Sequence, residues 1–321
     1  PGIDGMNVDE LPGYLRRHLL EIRAQLEAGS YQPQPVKRVD IPKPDGKTRP
    51  LGIPTVLDRF IQQAIAQVVS AQWEPHFHPH SYGFRPQRSA HQAIREVQSC
   101  IRQGYDWVVD MDLQAFFDRV NHDRLMVRLK SRCPDRALLR LINRYLNAGV
   151  RVGETIEPTR MGVPQGGPLS PVLANVVLDE LDWELHRRGH RFARYADDCN
   201  ILVRSKRAGE RVMVSMTRLV SDSLRLTVNL LKSAVDRPMN RKFLGFTVSR
   251  NGAKLKVADK AIEKLKDRVR ELTRRTRGKR IDAVVAELRK ALLGWKAYFG
   301  IAEVLSPLRD IDKWVRRKLR C

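Results

Sequence analysis

The sequence predicts a mixed α/β fold of the α+β kind, with helices and antiparallel strands in separate stretches of one chain. Three observations predict it: helical apolar periodicity in the N-terminal third, β-branched and aromatic runs near 106–113 and 194–203, and a basic amphipathic region after about residue 250. The chain has 321 residues, of which 42% are apolar, so it is long enough for roughly two domains and too apolar to be disordered.

The N-terminal region is predicted to contain helices around one extended hairpin. Residues 14–28 have apolar side chains at helical spacing and are followed by Gly29, a typical helix stop. Residues 31–54 are rich in proline and contain an Asp-Gly pair, which predicts a hairpin turn. Two more helical patterns lie near 56–73 and 89–103.

The middle of the chain combines predicted strands and helices. Residues 106–113 are rich in β-branched and aromatic residues and predict a strand. A helix is predicted from Ser170, as its N-cap, to Leu185, with Gly189 as its stop. The remaining predicted elements are a strand at 194–203, a helix near 209–224 and a short strand pair at 243–257.

The charge of the chain predicts a polyanionic partner. Lys and Arg number 59 against 36 Asp and Glu, which gives a net charge of +23, and binding to phosphates gains affinity from released counterions. Residues 251–321 alone contain 21 basic and 9 acidic residues on three amphipathic helical patterns, which predict a small basic bundle. The alternative is that these charges are only solvated helix faces.

The cysteines and the hydropathy pattern predict a cytoplasmic protein. Four cysteines form no CxxC pair and no zinc-like cluster, so they are interpreted as reduced packing residues: Cys100, Cys133, Cys199 and Cys321. No apolar run has the length of a membrane span and no signal peptide opens the chain, so no membrane partner is expected.

Two adjacent aspartates, Asp197 and Asp198, interrupt the apolar run 194–203. Successive side chains of a strand point to opposite faces, so these carboxylates converge only at a tight turn. Asp112 lies in the strand predicted at 106–113, and if that strand runs beside the turn, three carboxylates meet at one sheet edge. Anionic oxygens held together need cations between them, and paired Mg²⁺ ions perform phosphoryl transfer at such sites. An Asp-Asp pair at a turn is also a common structural feature.

Six sequence blocks resemble one family. In chain order they are KPDGKTRPLGIP, SYGFRPQRSAHQAI, VDMDLQAFFD, GVPQGGPLSP, YADD and KFLGF. In this order and spacing they resemble a bacterial group II intron-encoded reverse transcriptase/maturase, and PGIDG and WKAYFGIAEVLSPLRDIDKWVRRKLR extend the resemblance over essentially the whole chain. The resemblance implies a right-hand polymerase, with fingers at 1–104, an antiparallel-sheet palm at 105–250, and an α-helical thumb with the start of a maturase-type region at 251–321.

The resemblance also implies a catalytic centre. Asp112, Asp197 and Asp198 match the metal-binding carboxylates, assisted by the backbone carbonyl of Leu113, and the implied cofactor is a pair of Mg²⁺ ions, for which Mn²⁺ is a possible substitute. Lys232 matches the lysine proposed as the acid for the pyrophosphate leaving group, although two leucines replace the usual polar turn before it.

A further set of residues matches the family's nucleotide site. Phe117 matches the aromatic residue that blocks the ribose 2′-hydroxyl, with plain core packing as the alternative, and Gln165 matches a residue that contacts the incoming nucleotide. Lys43, Lys47 and Arg49 lie on the predicted hairpin, where cations would clamp a triphosphate.

Two other blocks match nucleic-acid contacts of the family. The residues expected to contact template and primer are Tyr82, Phe84 and Arg85 in the first block and Phe243, Leu244 and Gly245 in the second.

Polar residues beside these blocks have competing interpretations. Asp110 has the strand parity of Asp112 and faces the same side, but the family pattern requires no carboxylate there, so it is interpreted as a neighbour. His76, His78 and His80 suggest zinc, yet no Cys or carboxylate set completes a tetrahedral site, so they are interpreted as loop histidines near the template.

The function implied by the resemblance is RNA-directed DNA synthesis on a primer 3′-hydroxyl. The implied partners are an RNA template, a DNA or RNA primer, deoxynucleoside triphosphates and structured group II intron RNA, bound during splicing and retrohoming. Two alternatives stay open: a domesticated relative in CRISPR or repair systems, and an RNA-binding splicing factor with an inactive polymerase site. Intact carboxylates and Gln165 argue against the second alternative.

Overall fold

The computed structural model describes residues 1–42, 46, 48–250, 253–274 and 278–320. Within these residues, helices and strands alternate in the mixed arrangement that the sequence predicts. None of the helices found there is both long and apolar enough to cross a membrane.

The three predicted N-terminal helices are present: α1 (Leu11–Glu27), α2 (Val56–Trp73) and α3 (Ala90–Arg102). The hydroxyl of Thr55 accepts a hydrogen bond from the amide of Asp58 (3.0 Å) and starts α2. Ser89 caps α3 by accepting from the amide of Gln92 (3.3 Å). Because both caps are formed by residues within one turn of the helix start, the beginnings of these helices are encoded locally.

The predicted hairpin forms part of a small sheet. Strands β1 (Val36–Pro42) and β2 (Thr48–Ile53) pair in antiparallel fashion, and most of the turn between them lies outside the described residues. On its other side β1 pairs in parallel with β4 (Val150–Val152), which pairs with β5 (Thr155–Glu157). Strands β4 and β5 were not predicted.

The central sheet is antiparallel and has the strand order β6-β7-β3-β8. Its strands are β3 (Trp107–Met111), β6 (Arg191–Tyr195), β7 (Asp198–Val203) and β8 (Ala234–Asp236). The apolar run predicted as a strand at 194–203 therefore contains the turn between β6 and β7.

Five helices accompany this sheet: α4 (Phe116–Arg119), α5 (His122–Lys130), α6 (Arg136–Leu146), α7 (Ser170–Arg187) and α8 (Lys206–Asp222). Only α7 and α8 were predicted. Ser170 was predicted to be the N-cap of α7, but it is the first helical residue, and its hydroxyl donates to the carbonyl of Pro164 (2.5 Å). Gly189 follows the helix at φ +72°, as expected of a helix stop.

Strand alternation directs the central sheet into two cores. Val109 and Ile201 belong to a core shared with α2 and α5 to α8. Val108 and Leu202 belong to a second core shared with α3 and the C-terminal helices. Because apolar side chains cover both faces, the end of the sheet is where a polar site can reach solvent.

The C-terminal part contains the predicted strand pair and the three predicted helices: β9 (Phe246–Val248), β10 (Leu255–Val257), α9 (Asp259–Leu272), α10 (Ile281–Phe299) and α11 (Ser306–Arg320). Val269 and Leu288 are buried in the second core. The imidazole of His91 on α3 lies 2.6 Å from the carbonyl of Tyr298 on α10. The division into fingers, palm and thumb at 104/105 and 250/251 stays a prediction.

Candidate active site

The adjacent aspartates lie at a tight turn. Strands β6 and β7 pair up to Tyr195 and Asp198, which leaves Ala196 and Asp197 as the turn residues. Ala196 has φ +57°, a left-handed conformation that is unusual for a residue other than glycine. A two-residue turn of this kind lets both aspartates project near the end of the sheet, as the sequence argument requires.

The register of β3 against β7 brings the third aspartate to the same place. Met111 pairs with Cys199 and Asp110 pairs with Asn200, so one further step places Asp112 opposite Asp198. Because side chains alternate between the two faces along each strand, Asp110, Asp112 and Asp198 lie on the same face of the sheet.

The carboxylates influence one another electrostatically. Partial removal from water, followed by the charges of Asp197 and Asp110, raises the pKa of Asp198 to about 6. Burial first, and also the charge of Asp112, raises the pKa of Asp197, while the guanidinium of Arg49 opposes this shift. Like charges that raise one another's pKa are stabilised by a cation between them.

The donor set suits a hard divalent cation. Across the described residues, no three or more His, Cys, Asp or Glu side chains form a ready-made metal cage. Mg²⁺ typically binds through one or two carboxylates together with water and substrate phosphates, so it does not need such a cage. Carboxylate and carbonyl oxygens at this turn fit that mode of binding.

Asp110 is held by partners within the protein. Its carboxylate accepts hydrogen bonds from Arg241 Nη2 (2.6 Å) and Asn200 Nδ2 (3.3 Å). Arg241 also donates to the carbonyl of Lys232 (2.8 Å), which joins the end of β3 to the loop before β8. This arrangement agrees with the interpretation of Asp110 as a neighbour of the metal-binding set.

The loop before β8 lies directly beside Asp112. The amide of Asn229 donates to the Asp112 carbonyl (2.8 Å), and the amide of Gln114 donates to the Thr227 carbonyl (2.8 Å). These two bonds flank the Leu113 bridge and do not use the carbonyl of Leu113 itself.

Lys232 in this loop approaches the carboxylates. Its ammonium lies 4.0 Å from Asp112 Oδ2, and the lysine side chain is 65% exposed. The two leucines before it, Leu230 and Leu231, are also exposed. A mobile cation is thus placed at the rim of the site.

The GVPQGG block meets both the hairpin and the helix that carries Phe117. The amide of Gly52 in β2 donates to the carbonyl of Gln165 (2.8 Å), and the amide of Val163 donates to the carbonyl of Phe117 (2.6 Å). At Gly166, with φ +127°, an added Cβ would lie 2.6 Å from the Gly52 carbonyl, so glycine is required for this approach. Phe117 is half-buried and packs on the first core, so core packing stays its alternative role.

The predicted triphosphate clamp is described only in part. Arg49 is exposed in β2, and its charge lowers the pKa of Asp197. The guanidinium of Arg49 is therefore within electrostatic range of the Asp197 carboxylate. Lys43 and Lys47 lie outside the described residues.

The predicted template block packs against the turn of Ala196 and Asp197 between β6 and β7, hereafter the catalytic turn. The amide of Tyr82 donates to the carbonyl of Arg194 in β6 (2.8 Å), and an added Cβ at Gly83 would lie 2.3 Å from the amide nitrogen of Ala196. Tyr82 is buried, whereas Phe84 is 46% exposed at φ +58°. Of the two aromatic residues, Phe84 is the one that offers a ring to solvent.

Arg85, which was predicted as a template contact, is held by partners within the protein. Its guanidinium is buried and donates to the Glu74 carboxylate (2.8 Å) and to the carbonyls of His78 (2.7 Å) and Ser81 (2.8 Å). Its Nε also donates to Glu74 (3.1 Å). Because its donors are directed at protein acceptors, Arg85 stabilises the loop, and a contact of Arg85 with a template stays a prediction.

The predicted primer block forms a second tight turn. Phe243 and Phe246 exchange both backbone hydrogen bonds at 2.9 Å, with Leu244 and Gly245 at φ +51° and +83° between them. The hydroxyl of Tyr298 on α10 donates to the Leu244 carbonyl (2.9 Å). The charge of Lys242, which directly precedes this turn, opposes the rise in the pKa of Asp198, so the turn lies within electrostatic range of the aspartates.

Two histidines just before the template block, His78 and His80, pack against aromatic side chains. His78 is 2% exposed, and its Nε2 lies 3.1 Å from His186 Nδ1. Burial, followed by the charge of His80, lowers the pKa of His78 to about 4, so it is neutral at physiological pH. His76 contributes its carbonyl to Trp183 Nε1 (3.1 Å). These contacts agree with structural histidines and do not support the zinc interpretation.

Comparison with known proteins decides the family. Residues 41–248 match the family model described as reverse transcriptase (RNA-dependent DNA polymerase), and residues 262–321 match the group II intron, maturase-specific domain. The chain belongs to the reverse transcriptase family, and its C-terminal part is of the group II intron maturase type. Family membership implies an RNA template and dependence on a divalent metal ion.

Individual relatives agree with this assignment. The chain is 35% identical to protein YkfC of Escherichia coli over 274 residues, which is 73% of this chain and 72% of YkfC. It is 38% identical over 179 residues to the group II intron-encoded protein LtrA of Lactococcus lactis, which is 56% of this reverse transcriptase and only 30% of LtrA.

Solved structures confirm the right-hand polymerase fold. Telomerase from Candida albicans, solved in complex with a fragment of telomeric RNA, superposes with a TM-score of 0.57 at 14% identity over 91% of this chain and 60% of that one. Telomerase from Candida tropicalis superposes with the same TM-score of 0.57 at 12% identity, over 88% of this chain and 57% of that one.

Two arginines beside the aspartates were not predicted for this reverse transcriptase. Arg241 holds Asp110, and Arg194 lies buried beneath the catalytic turn. A signal for Arg194 existed in helix α7, where Asn175, Asp179 and Asp182 recur at helical spacing and are buried. Buried polar residues on one helix face require partners, which points to an unidentified donor.

Proposed function

We propose that this chain adds deoxynucleotides to the 3′-hydroxyl of a primer, using RNA as the template. The observation that carries the proposal is the convergence of Asp112, Asp197 and Asp198 at the end of the central sheet, where their charges act on one another. The match to the reverse transcriptase family supports the same reaction.

A pair of Mg²⁺ ions, with Mn²⁺ as a substitute, is the proposed cofactor. Asp112, Asp197, Asp198 and the backbone carbonyl of Leu113 would hold it. When bound, such a pair activates the attacking hydroxyl and stabilises charge on the leaving phosphate oxygens. The oxygen-only donors and the raised pKa values of two of the aspartates support the assignment.

The incoming nucleotide is bound between the hairpin and the GVPQGG block. Arg49 binds the triphosphate, with Lys43 and Lys47 as its proposed partners on the same hairpin. Gln165 contacts the nucleotide, and the close approach of its loop to β2 supports this position. Phe117 excludes the ribose 2′-hydroxyl and so selects deoxynucleotides.

The remaining predicted residues bind the leaving group and the nucleic acid. Lys232, whose exposed ammonium lies 4.0 Å from Asp112, donates a proton to pyrophosphate. The exposed ring of Phe84 contacts the template, with Tyr82 packed behind it. The turn at 243–246 holds the primer end, which its tight hydrogen bonding supports.

A second role follows from the C-terminal helices. The match of residues 262–321 to the maturase-specific domain favours binding of structured group II intron RNA, in support of splicing and retrohoming. A domesticated relative would use the same site on a different RNA. Bacterial relatives and buried, free cysteines support a location in the bacterial cytoplasm.

Primer extension on an RNA template tests the proposal. The wild type, Asp197→Asn and the exposed control Asp222→Asn are compared with Mg²⁺ and deoxynucleotides. We expect the wild type and the control to extend the primer, and Asp197→Asn to lose at least about 10²–10³-fold in rate, because one anionic oxygen of the metal set is gone.

Binding of structured RNA is measured for the same three proteins and should agree within a few-fold. Substantial synthesis by Asp197→Asn, with contamination excluded, would contradict its metal role. If the wild type binds RNA tightly but never extends a primer, the chain is an RNA-binding splicing factor with an inactive polymerase site.

A further inference from the structure

A fully buried ion pair lies beneath the catalytic turn. Arg194 in β6 and Asp182 in α7 are both 0% exposed, and their two bonds measure 2.7 Å (Nε to Oδ1) and 2.6 Å (Nη2 to Oδ2). Removing two charges from water is costly, and apolar side chains of similar volume often give equal or greater stability in such places. Stability alone therefore does not explain why this pair is present.

The remaining donors of Arg194 are directed at three different segments. Nη1 donates to the Ala196 carbonyl (2.8 Å) and to Asn175 Oδ1 (3.0 Å), and Nη2 also donates to Ser81 Oγ (2.7 Å). Together with the two bonds to Asp182, these use all five N–H groups of the guanidinium. One side chain thus joins α7, the template loop and the catalytic turn.

The acceptor on the turn is at its most constrained residue. Ala196 directly precedes Asp197 and has φ +57°, which costs energy for a residue with a Cβ. Asn175 also donates to the carbonyl of Gly83 (2.8 Å), and Gly83 packs against the amide of Ala196. Such a conformation persists only where surrounding contacts fix it, and Arg194 provides or organises these contacts.

We propose that Arg194 is a positioning residue for DNA synthesis, which fixes the Ala196 carbonyl and thereby the direction of the Asp197 carboxylate, and which couples that turn to the template loop at 81–84. This inference rests on the proposed function of Asp197 as a metal ligand. Arg194 itself touches neither substrate nor metal. Residues that orient metal ligands in this way typically change activity or metal affinity by about 10–100-fold when they are replaced.

The test removes both charges together. Arg194→Met combined with Asp182→Leu leaves no unpaired charge and nearly preserves the volume, so the variant should fold. The Ala196 carbonyl, Asn175 Oδ1 and Ser81 Oγ lose their donor, so we expect a melting temperature somewhat below that of the wild type. We expect kcat for primer extension to fall about 10–100-fold, while KM for the nucleotide and the affinity for primer–template change by less than a few-fold.

Two readouts separate positioning from general packing. The Mg²⁺ concentration for half-maximal activity should rise. Hydrogen exchange of the backbone amides at 196–199 should accelerate, while exchange in α7 and α8 stays at the wild-type rate. The exchange measurement needs no catalysis, so it also reports on Arg194 if the chain proves inactive. In that event the proposed function fails, while faster exchange still supports the positioning of the turn.

The chain offers a matched control on the same helix. Arg128 donates to the buried carboxylate of Asp179 (2.7 Å), one turn before Asp182. Among the described residues no hydrogen bond joins this pair to the turn at 196–197, although Asp179 lies within electrostatic range of Asp182 and Arg194. Arg128→Met combined with Asp179→Leu should leave kcat, the Mg²⁺ requirement and exchange at 196–199 unchanged.

Arg194→Lys is the second variant. It keeps a charge opposite Asp182 but lacks the fork that reaches Ala196 and Ser81, so it should fold and still lose activity. Wild-type kcat and wild-type exchange in a folded double variant would overturn the proposal. Exchange that accelerates throughout the chain would do the same, because it would show a structural role only. If the double variant fails to fold, wild-type kcat and turn exchange in Arg194→Lys would overturn the proposal.

Discussion

Asp182 in α7 and the adjacent pair Asp197 and Asp198 between β6 and β7 have opposite electrostatic surroundings. Asp182 is completely buried, and a guanidinium that is equally buried satisfies both of its oxygens. Asp197 and Asp198 lie at the end of the sheet, where burial and then the charges of other carboxylates raise their pKa values. At Asp182, by contrast, burial raises the pKa and the charge of Arg194 opposes that rise. No described lysine or arginine forms an ion pair with either of these two residues.

The difference separates charges that the protein compensates from charges that it leaves to a ligand. A compensated carboxylate orients its neighbours, and its removal damages the fold. An uncompensated set is held against mutual repulsion by the rest of the structure, and it gains stability when a cation or a phosphate-bound metal arrives. This distinction predicts opposite results for the same Asp→Asn substitution at the two places.

The largest expected effect is on folding, at the compensated site. Asp182→Asn leaves the Arg194 guanidinium buried without its counter-charge and should reduce the free energy of unfolding by about 3–5 kcal/mol. Asp197→Asn relieves repulsion and should leave stability equal or slightly higher when Mg²⁺ is absent. Urea unfolding of both variants measures this contrast. A loss below about 1 kcal/mol in Asp182→Asn, the range of a surface pair, would remove the distinction.

Sugar selection tests whether the incoming nucleotide binds beside the uncompensated aspartates, next to Phe117. Phe117→Ala should increase ribonucleotide incorporation relative to deoxynucleotide by about 10-fold or more, since filling a pocket discriminates by about 1–3 kcal/mol. Single-nucleotide extension measures the ratio. Phe116→Leu is the control, because Phe116 is buried in the first core and its change should lower stability without altering sugar choice. Unchanged discrimination in Phe117→Ala would assign Phe117 to core packing.

The same comparison extends to the surplus positive charge. Arg289, Lys290 and Lys296 on α10 are exposed and form no ion pair with any residue that the structure describes, whereas Arg268 and Arg270 on α9 pair with acidic neighbours. Changing the first set to glutamine should weaken RNA binding and flatten its log–log salt dependence by about 0.7–0.9 for each phosphate that the protein no longer neutralises. Changing the second set should have a smaller effect. Equal slopes for both sets would show that pairing does not decide which charges bind RNA.

Much of the fold was predictable because its signals are local. The helix predicted at 56–73 agrees with Val56–Trp73, since its cap and its apolar periodicity lie within its own sequence. Helices α9 and α10 were predicted from apolar periodicity alone, and neither has a side-chain cap. Strands β4, β5 and β8 have three residues each and exist through pairing with distant segments. The sequence alone does not show which distant segments pair with such short strands.

The candidate site was predictable to a similar extent. The convergence of Asp112 with the adjacent pair was predicted on the condition that the strand at 106–113 runs beside the turn, and the pairing of β3 with β7 meets that condition. The protein partners of Arg85 were not foreseen, because its acceptors lie on a loop whose path only the fold defines. Arg194 was missed for the same reason: its acceptors come from three separate segments.

The smallest expected effect is on the pH dependence of stability. The pKa of Asp198 is raised from 3.8 in an unperturbed chain to about 6 in the folded protein. Between these pH values the folded state binds more protons than the unfolded state. The contribution of Asp198 to the free energy of unfolding is therefore fully present below pH 4 and is lost as the pH rises through about 6. Asp198→Asn removes this contribution.

Melting temperatures measured from pH 4 to 7 in a metal chelator, for the wild type and Asp198→Asn, isolate this effect. The stability difference should favour the variant increasingly as the pH rises, and it should be small because solvent screens a partly exposed carboxylate. Mg²⁺ together with primer–template should reverse the trend at pH 7, because only the wild type presents the full anionic set to the metal. Parallel curves for the two proteins, with and without metal, would place Asp198 among the compensated charges and break the comparison at its centre.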